Sequence, residues 1–228
     1  MHVEIWSDIA CPWCYVGKRR FETALAGFEH RDAVEVTWRS FELDPEAPAD
    51  RGMPIAELLA SKYGMSVEEA HARHAQLTGV AAADGLHFRF DRVRSGNTFD
   101  AHRLTHLAAA HGLQDAMEER LMRAYQGEGE LMSDHAALAR LGGEVGLPAA
   151  EVEELLAGDR FADAVRDDER TGAALGIQGV PFFVVDRRLG ASGAQPPELL
   201  GQMLQRGWDE RPQVETVVGG EACGPDGC

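Results

Sequence analysis

The spacing of hydrophobic positions changes period twice along the chain. Residues 2–6 (HVEIW) form a short apolar stretch bounded by Ser7 and Asp8, which predicts a strand. In the segment CYVGKRRFETALAGF, Tyr15, Phe21, Leu25 and Phe28 recur at helical intervals. Pro12 suits the first turn of that helix, where its missing N–H would have no intrahelical acceptor. AVEVTWRSFEL then sets Val34, Val36 and Trp38 on one face of a second strand rich in β-branched and aromatic side chains. A strand, a helix and a parallel strand in this order make a βαβ unit with a right-handed crossover.

After the connector DPEAPADRGMP, the stretch from about Pro54 to Leu175 is helical in period. It runs through IAELLASKYG, SVEEAHARHAQLTGVAAADG, NTFDAHRLTHLAAAHG, LQDAMEERLMRAYQ, HAALARLGGEVG and PAAEVEELLAG. Gly64, Gly112, Gly146 and Gly158 are the expected C-terminal caps, and Asn97 or Thr98 the expected cap of the helix containing His102. Strand character returns at GIQGVPFFVVD. RRLGASGA reads as a short turn, and PPELLGQMLQRGWD closes as a helix with Pro197 near its start. The first βαβ unit and the final strand, hairpin and helix are each too small to hold a core alone, so the prediction is one α/β domain interrupted by a helical insertion. Its parts are 1–50, an insertion over 51–175, 176–210, and a tail over 211–228.

Composition narrows the function. With 228 residues and 44% hydrophobic content the chain holds a substantial core without disulfides, and no stretch approaches the roughly 18 apolar residues of a membrane span. The 38 acidic against 22 basic side chains give a net charge of -16, which repels phosphate backbones and anionic membrane surfaces and excludes nucleic acid and membrane as partners. Acidic helical segments such as EVEELLAGDRFADAVRDDER read as a solvated surface. The N-terminus MHVEIWSD carries neither a basic region nor an apolar one, so a cytoplasmic location is expected, and there a cysteine pair is more often catalytic or metal-binding than structural.

Cys11 falls at the N-terminal edge of the first helix, where unpaired N–H groups and the helix dipole favour an anion such as a thiolate. A cysteine pKa of about 8.5 can drop to about 7 or lower in such a setting. Cys14, three residues on, lies on the same helix side, where it can attack a mixed disulfide formed on Cys11. Packing at a helix start is the alternative.

The strand followed by CPWC, the helical block, and GVPFFVV together resemble the DsbA-like branch of the thioredoxin-fold oxidoreductases across nearly the whole chain. SDIACPWCYVGKRRFE, NTFDAHRLTHLA and GVPFFVVD resemble its FrnE-type subfamily. The resemblance implies a thioredoxin fold with an α-helical insertion and a cis Val180–Pro181 peptide beside the cysteines. Backbone groups of Val180 would then pair with an extended substrate, and Pro181 would shape the approach; simply starting a strand is the other role for Pro181. Trp13 offers an apolar contact next to the sulfur or closes the domain edge. Asp8 is expected to cap the helix, with proton acceptance from Cys14 as its alternative. His102 is a candidate supporting residue through the resemblance of its helix.

Cys223 and Cys228 enclose GPDG, a turn-forming sequence that can bring two sulfurs together. The intervening tail spans up to about 50 Å, enough to reach CPWC. FrnE-type proteins include members with such a pair, which implies an accessory dithiol; a terminal clip is the alternative. Four cysteines could also bind zinc, but a site completed from a tail is poorly preorganised. His102 with His106, and His71 with His74, lack a third ligand or an HExxH pattern and read as core or surface histidines.

The reading is therefore a thiol–disulfide oxidoreductase with Cys11 as nucleophile and Cys14 as resolving thiol, requiring no metal or organic cofactor. Its partners are protein or small-molecule thiols and disulfides, with glutathione as a candidate. Glutathione-dependent enzymes of the 2-hydroxychromene-2-carboxylate isomerase and kappa transferase type share the resembled fold but use a serine-type position, and a peptide-binding chaperone would survive loss of Cys11.

Overall fold

The computed structural model describes residues 1–211; Cys223 and Cys228 lie outside them. The elements run β1 (His2–Ser7), α1 (Pro12–Ala26), β2 (Glu35–Ser40), α2 (Ile55–Tyr63), α3 (Val67–Ala83), α4 (Phe99–Ala110) and α5 (Gln114–Arg123). They continue with α6 (His135–Val145), α7 (Ala149–Ala157), α8 (Ala162–Ala174), β3 (Phe182–Val185), β4 (Leu189–Ser192) and α9 (Pro197–Asp209). A mixed sheet of order β2-β1-β3-β4 carries the fold: β1 pairs parallel with β2 and antiparallel with β3, and β3 pairs antiparallel with β4. This is the α/β thioredoxin fold the sequence predicts, with α2–α8 falling between β2 and β3.

The period-2 pattern of β1 decides what covers each face of the sheet. Val3 and Ile5 pack with Phe21, Phe183, Leu200 and Leu204, so α1 and α9 cover one side. Trp6 points to the other side, packs with Ile177 and Val184, and donates its indole N–H to the Asp168 carbonyl at 2.9 Å. A Cβ on Gly172 of α8 would come within 2.8 Å of the Trp6 indole nitrogen, so that glycine allows the close approach. Glu4 is buried on this face yet held below its usual carboxylate range: burial opposes its charge, and hydrogen bonds from Arg187 and Arg39 outweigh it.

Helix α1 lies between two cores. Its Phe21 faces the sheet, while Cys14, Tyr15 and Val16 pack with Ala81, Leu86, Phe88 and Met122 of the helical block. A separate core of Leu104, Leu107, Met117, Leu121, Leu138 and Leu155 joins α4–α7. Among the described residues no helix is long and apolar enough to cross a membrane.

Three local features refine the expectations. In the expected hairpin at RRLGASGA, Asp186 and Arg187 adopt positive φ in a tight turn, and Leu189–Ser192 completes the sheet as an edge strand. The acidic run EVEELLAGDRFADAVRDDER ends its first helix at Gly158 as expected, but that cap is extended (φ -122°) rather than left-handed, and the second helix is entered through Phe161 at φ 66°. Arg103 holds this break by donating to the carbonyls of Leu155, Gly158 and Arg160. Past Arg123 the LQDAMEERLMRAYQ helix widens into a π-type turn over Ala124–Glu128, in which the Gly129 N–H reaches Ala124 O at 2.9 Å.

Candidate active site

The β1–α1 connection places the cysteines. Cys11 is the N-cap of α1, with extended backbone (φ -83°, ψ 111°), and Pro12 and Trp13 open the first turn. Cys14 lies one turn along, with its N–H on Cys11 O at 3.1 Å. Both thiols are free and both residues are buried, Cys11 at 5% exposure and Cys14 at 1%, while Trp13 stands 43% exposed beside them. The two environments differ: burial, together with the hydrogen bond and charge of Cys11, pushes the Cys14 thiol well above its ordinary range.

The segment before β3 closes over this helix start. The Val180–Pro181 peptide is cis, and Cys11 Sγ donates to Val180 O at 3.6 Å. Pro181 O accepts from Gly193 N at 2.8 Å, whereas the Val180 N–H donates to no protein acceptor among the described residues. Gly17 makes the approach of α1 to Pro181 feasible, since a Cβ there would lie 2.9 Å from Pro181 Cγ and 3.3 Å from Phe183 Cζ.

Asp8 does not cap α1. It stands three residues before the N-cap, and its carboxylate accepts instead from Ala10 N at 3.1 Å and Leu43 N at 2.8 Å, fixing the β1–α1 turn to the loop after β2. His102 Nε2 lies 3.5 Å from Asp8 Oδ1, an ion-pair separation, and has no hydrogen-bond partner. Burial works against a charge on His102, yet Asp8, Glu118 and Glu42 outweigh it and hold its pKa above the ordinary histidine value. His106, one turn on, reaches another carboxylate, Asp168 Oδ2, at 3.1 Å. The helix carrying both has Thr98 at its N-cap without a side-chain bond, and Asn97 Oδ1 accepts from Phe99 N at 2.8 Å instead.

Three buried groups at this site escape the sequence reading. Glu118 of α5 is fully enclosed with an unpartnered Oε2, and burial, offset in part by His102 and Lys18, raises its pKa to about 7. Lys18, one turn after Cys14, is 1% exposed and pairs with Glu22, with Asp115 at 2.9 Å and with Glu119 at 3.7 Å. Gln126, in the π-type turn, points its amide at Ala10 O at 3.3 Å, just before the cysteines, a common setting for such turns. Glu118 is detectable in hindsight, because it shares a helix face with Leu121 and Met122, and Gly17 stands in a helix interior where glycine costs about 1 kcal/mol.

Beside Cys11 a cavity of about 700 Å³ opens between the α1 start and α2–α3, lined by Asp8, Trp13, Leu58, His74 and Phe90 among others. His74 stacks on Phe90 with centroids 4.2 Å apart, and His71 forms an edge contact with it. Among the described residues, no group of three or more His, Cys, Asp or Glu side chains is disposed to hold a metal ion.

Comparison with known proteins identifies the arrangement. The family described as "DSBA-like thioredoxin domain" matches residues 2–205. A solved structure of a probable DsbA oxidoreductase from Streptomyces coelicolor superposes with a TM-score of 0.91 at 50% identity, covering 100% of this chain and 98% of that one. The uncharacterized protein YwbO of Bacillus subtilis (strain 168) is 28% identical over 187 residues, 81% of this chain and 86% of YwbO. The cytosolic disulfide reductase DsbM of Pseudomonas aeruginosa, also solved with GSH, shares the fold, with a TM-score of 0.66 at 18% identity over 92% of this chain and 99% of DsbM.

Proposed function

Because the chain belongs to the DSBA-like thioredoxin domain family, we propose that it is a thiol–disulfide oxidoreductase of the FrnE type in which Cys11 exchanges with substrate sulfur and Cys14 resolves the product. The observation that carries this reading is the asymmetry of the pair: Cys11 is the N-cap thiol beside Val180 and the cavity, and Cys14 is buried a turn deeper, where burial first and the neighbouring Cys11 second keep its thiol protonated. The Cys11 thiolate attacks one sulfur of a substrate disulfide, a Cys11–substrate disulfide forms, and the other substrate sulfur leaves as a thiolate that takes up a proton. Cys11 then no longer carries charge, so Cys14 loses its proton more readily and attacks Cys11 Sγ. The second substrate thiol departs and Cys11–Cys14 is oxidised by two electrons; the reverse sequence oxidises a dithiol substrate.

Val180 supports the substrate in this scheme, its free N–H and its carbonyl offering the edge of a strand to an extended peptide, with Pro181 behind it and Trp13 as the apolar contact. Asp8 and His102 act as positioning residues. Cys223 and Cys228 serve as an accessory dithiol, and protein or small-molecule thiols, glutathione included, are the partners in a cytoplasmic setting. The presence of both cysteines speaks against the glutathione-dependent isomerase reading.

Insulin reduction driven by a dithiol tests this. Cys11→Ser is expected to abolish turnover, and Cys14→Ser to accumulate a mixed disulfide visible by mass spectrometry; activity surviving in Cys11→Ser would overturn the assignment.

A further inference from the structure

The cavity beside Cys11 has a composition that an extended peptide does not call for. Its volume, about 700 Å³, falls within the roughly 300–1,000 Å³ of small-molecule sites. Leu58, Leu59, Leu77, Phe90 and Val93 line it with apolar side chains alongside Cys11 and Trp13. The carboxylates that line it are already engaged: Asp8 accepts from two backbone N–H groups, and Asp44 pairs with Arg51. Two exposed cations that line it are not. Lys62 and Arg73, together with Arg92 and Arg211 elsewhere, are the basic side chains with no carboxylate within 4.0 Å among the described residues, in a chain of net charge -16.

His74 supplies an independent observation. It is 7% exposed, lines the same cavity, and its Nε2 has no hydrogen-bond partner. Burial, with His71 alongside, keeps it toward the neutral imidazole, so it offers a hydrogen-bonding nitrogen among the apolar lining residues. An unpaired buried polar atom costs free energy that a ligand group would recover.

We propose that this cavity binds low-molecular-weight disulfides and thiols made of an aromatic or aliphatic body and a carboxylate, with Lys62 and Arg73 holding the carboxylate, His74 offering a hydrogen bond, and the ligand sulfur meeting Cys11. The inference rests on the thiol–disulfide reading above and names one substrate class for it. A hydrophilic anion such as glutathione disulfide engages the cations but leaves the apolar wall unfilled; a neutral aromatic disulfide does the opposite. In a single turnover the reduced pair supplies both electrons. Cys11 Sγ bonds to one ligand sulfur as the ligand S–S bond breaks, Cys14 then displaces that sulfur, and two ligand thiols leave with the two cysteine protons.

Pre-reduced protein is mixed with dithiobis(nitrobenzoate), neutral dithiodipyridine, glutathione disulfide or insulin, and each rate is expressed as a ratio of variant to wild type so that leaving-group differences cancel. The double charge reversal Lys62→Glu/Arg73→Glu, at two exposed positions, is expected to slow the nitrobenzoate disulfide about tenfold at low ionic strength, with the loss shrinking as salt is added. Dithiodipyridine and insulin should change by less than about twofold. Leu77→Gln is expected to slow both aromatic probes more than glutathione disulfide. Equal slowing of the charged and neutral aromatic probes, no slowing of either, or slowing of insulin as large as that of the nitrobenzoate disulfide would each overturn the proposal, the last because the cavity would then be taking a protein chain. Wild-type protein that exchanges with none of the four would instead fail the underlying oxidoreductase reading.

Discussion

Glu118 offers a test of the buried polar network that needs no substrate. Its pKa of about 7 in the folded protein stands above the ordinary 4.5, with burial as the main cause, Asp115 and Asp8 adding to it, and His102 and Lys18 opposing it. Between those two values the folded state binds a proton that the unfolded chain has released, so stability is full below about pH 4.5 and falls as pH rises through 7. At about 1.36 kcal/mol per pKa unit the loss is about 3 kcal/mol by slightly alkaline pH. His102 acts with the same sign, since its raised pKa makes its contribution present at low pH and lost on deprotonation, and Glu118 is one of the charges that hold it up. Glu118→Gln keeps the shape and removes the titration. Urea unfolding followed by tryptophan fluorescence, under reducing conditions from about pH 4.5 to about pH 8, should show wild-type stability falling by about 3 kcal/mol more than that of the variant. Parallel curves for the two proteins, at any vertical offset, would refute the account.

Further outcomes follow from single contacts. Gly17→Ala puts a methyl 2.9 Å from Pro181 Cγ and should cost about 1–3 kcal/mol of stability and slow exchange with insulin, both read against wild type in the same buffer. Arg103→Met leaves the carbonyls of Leu155, Gly158 and Arg160 without their buried donor and should destabilise by about 3 kcal/mol or more, seen as a lower urea midpoint with oxidoreductase chemistry intact in the folded fraction. Asp8→Ala frees the N–H groups of Ala10 and Leu43 and removes the anion facing His102, so the His102 imidazole should titrate at lower pH by NMR.

What the sequence disclosed followed from local rules. The N-cap position of Cys11, with proline opening the helix behind it, is readable because helix starts have their own residue preferences, and β1, β2 and β3 are readable because their side chains alternate or are β-branched. The hairpin after β3 was readable from its turn, but the extent of β4 was not, because LGAS lacks that signature and forms a strand by pairing with β3. The end of α7 at Gly158 was readable from the glycine, but its extended conformation was hidden because the carbonyls around it are held by a guanidinium more than fifty residues upstream. The role of Asp8 was misread for a related reason: its residue type suits a cap, and the partner that engages it, Leu43 N, belongs to a distant loop. Glu118 and Gln126 reach the site only through tertiary packing.

The placement of β1 also bears on how the chain comes together. As synthesis proceeds from the N-terminus, β1 and its parallel partner β2 emerge early, but Val3 must wait for Val185 before the other edge of β1 is paired. Closing so long a loop is entropically slow unless the intervening residues condense first, and α4–α7 have a core of their own with which to do so. Until the segment leading into β3 arrives, Cys11 lacks the Val180 carbonyl over its sulfur, so a nascent chain presents a bare dithiol whose shelter is made only after the whole helical block.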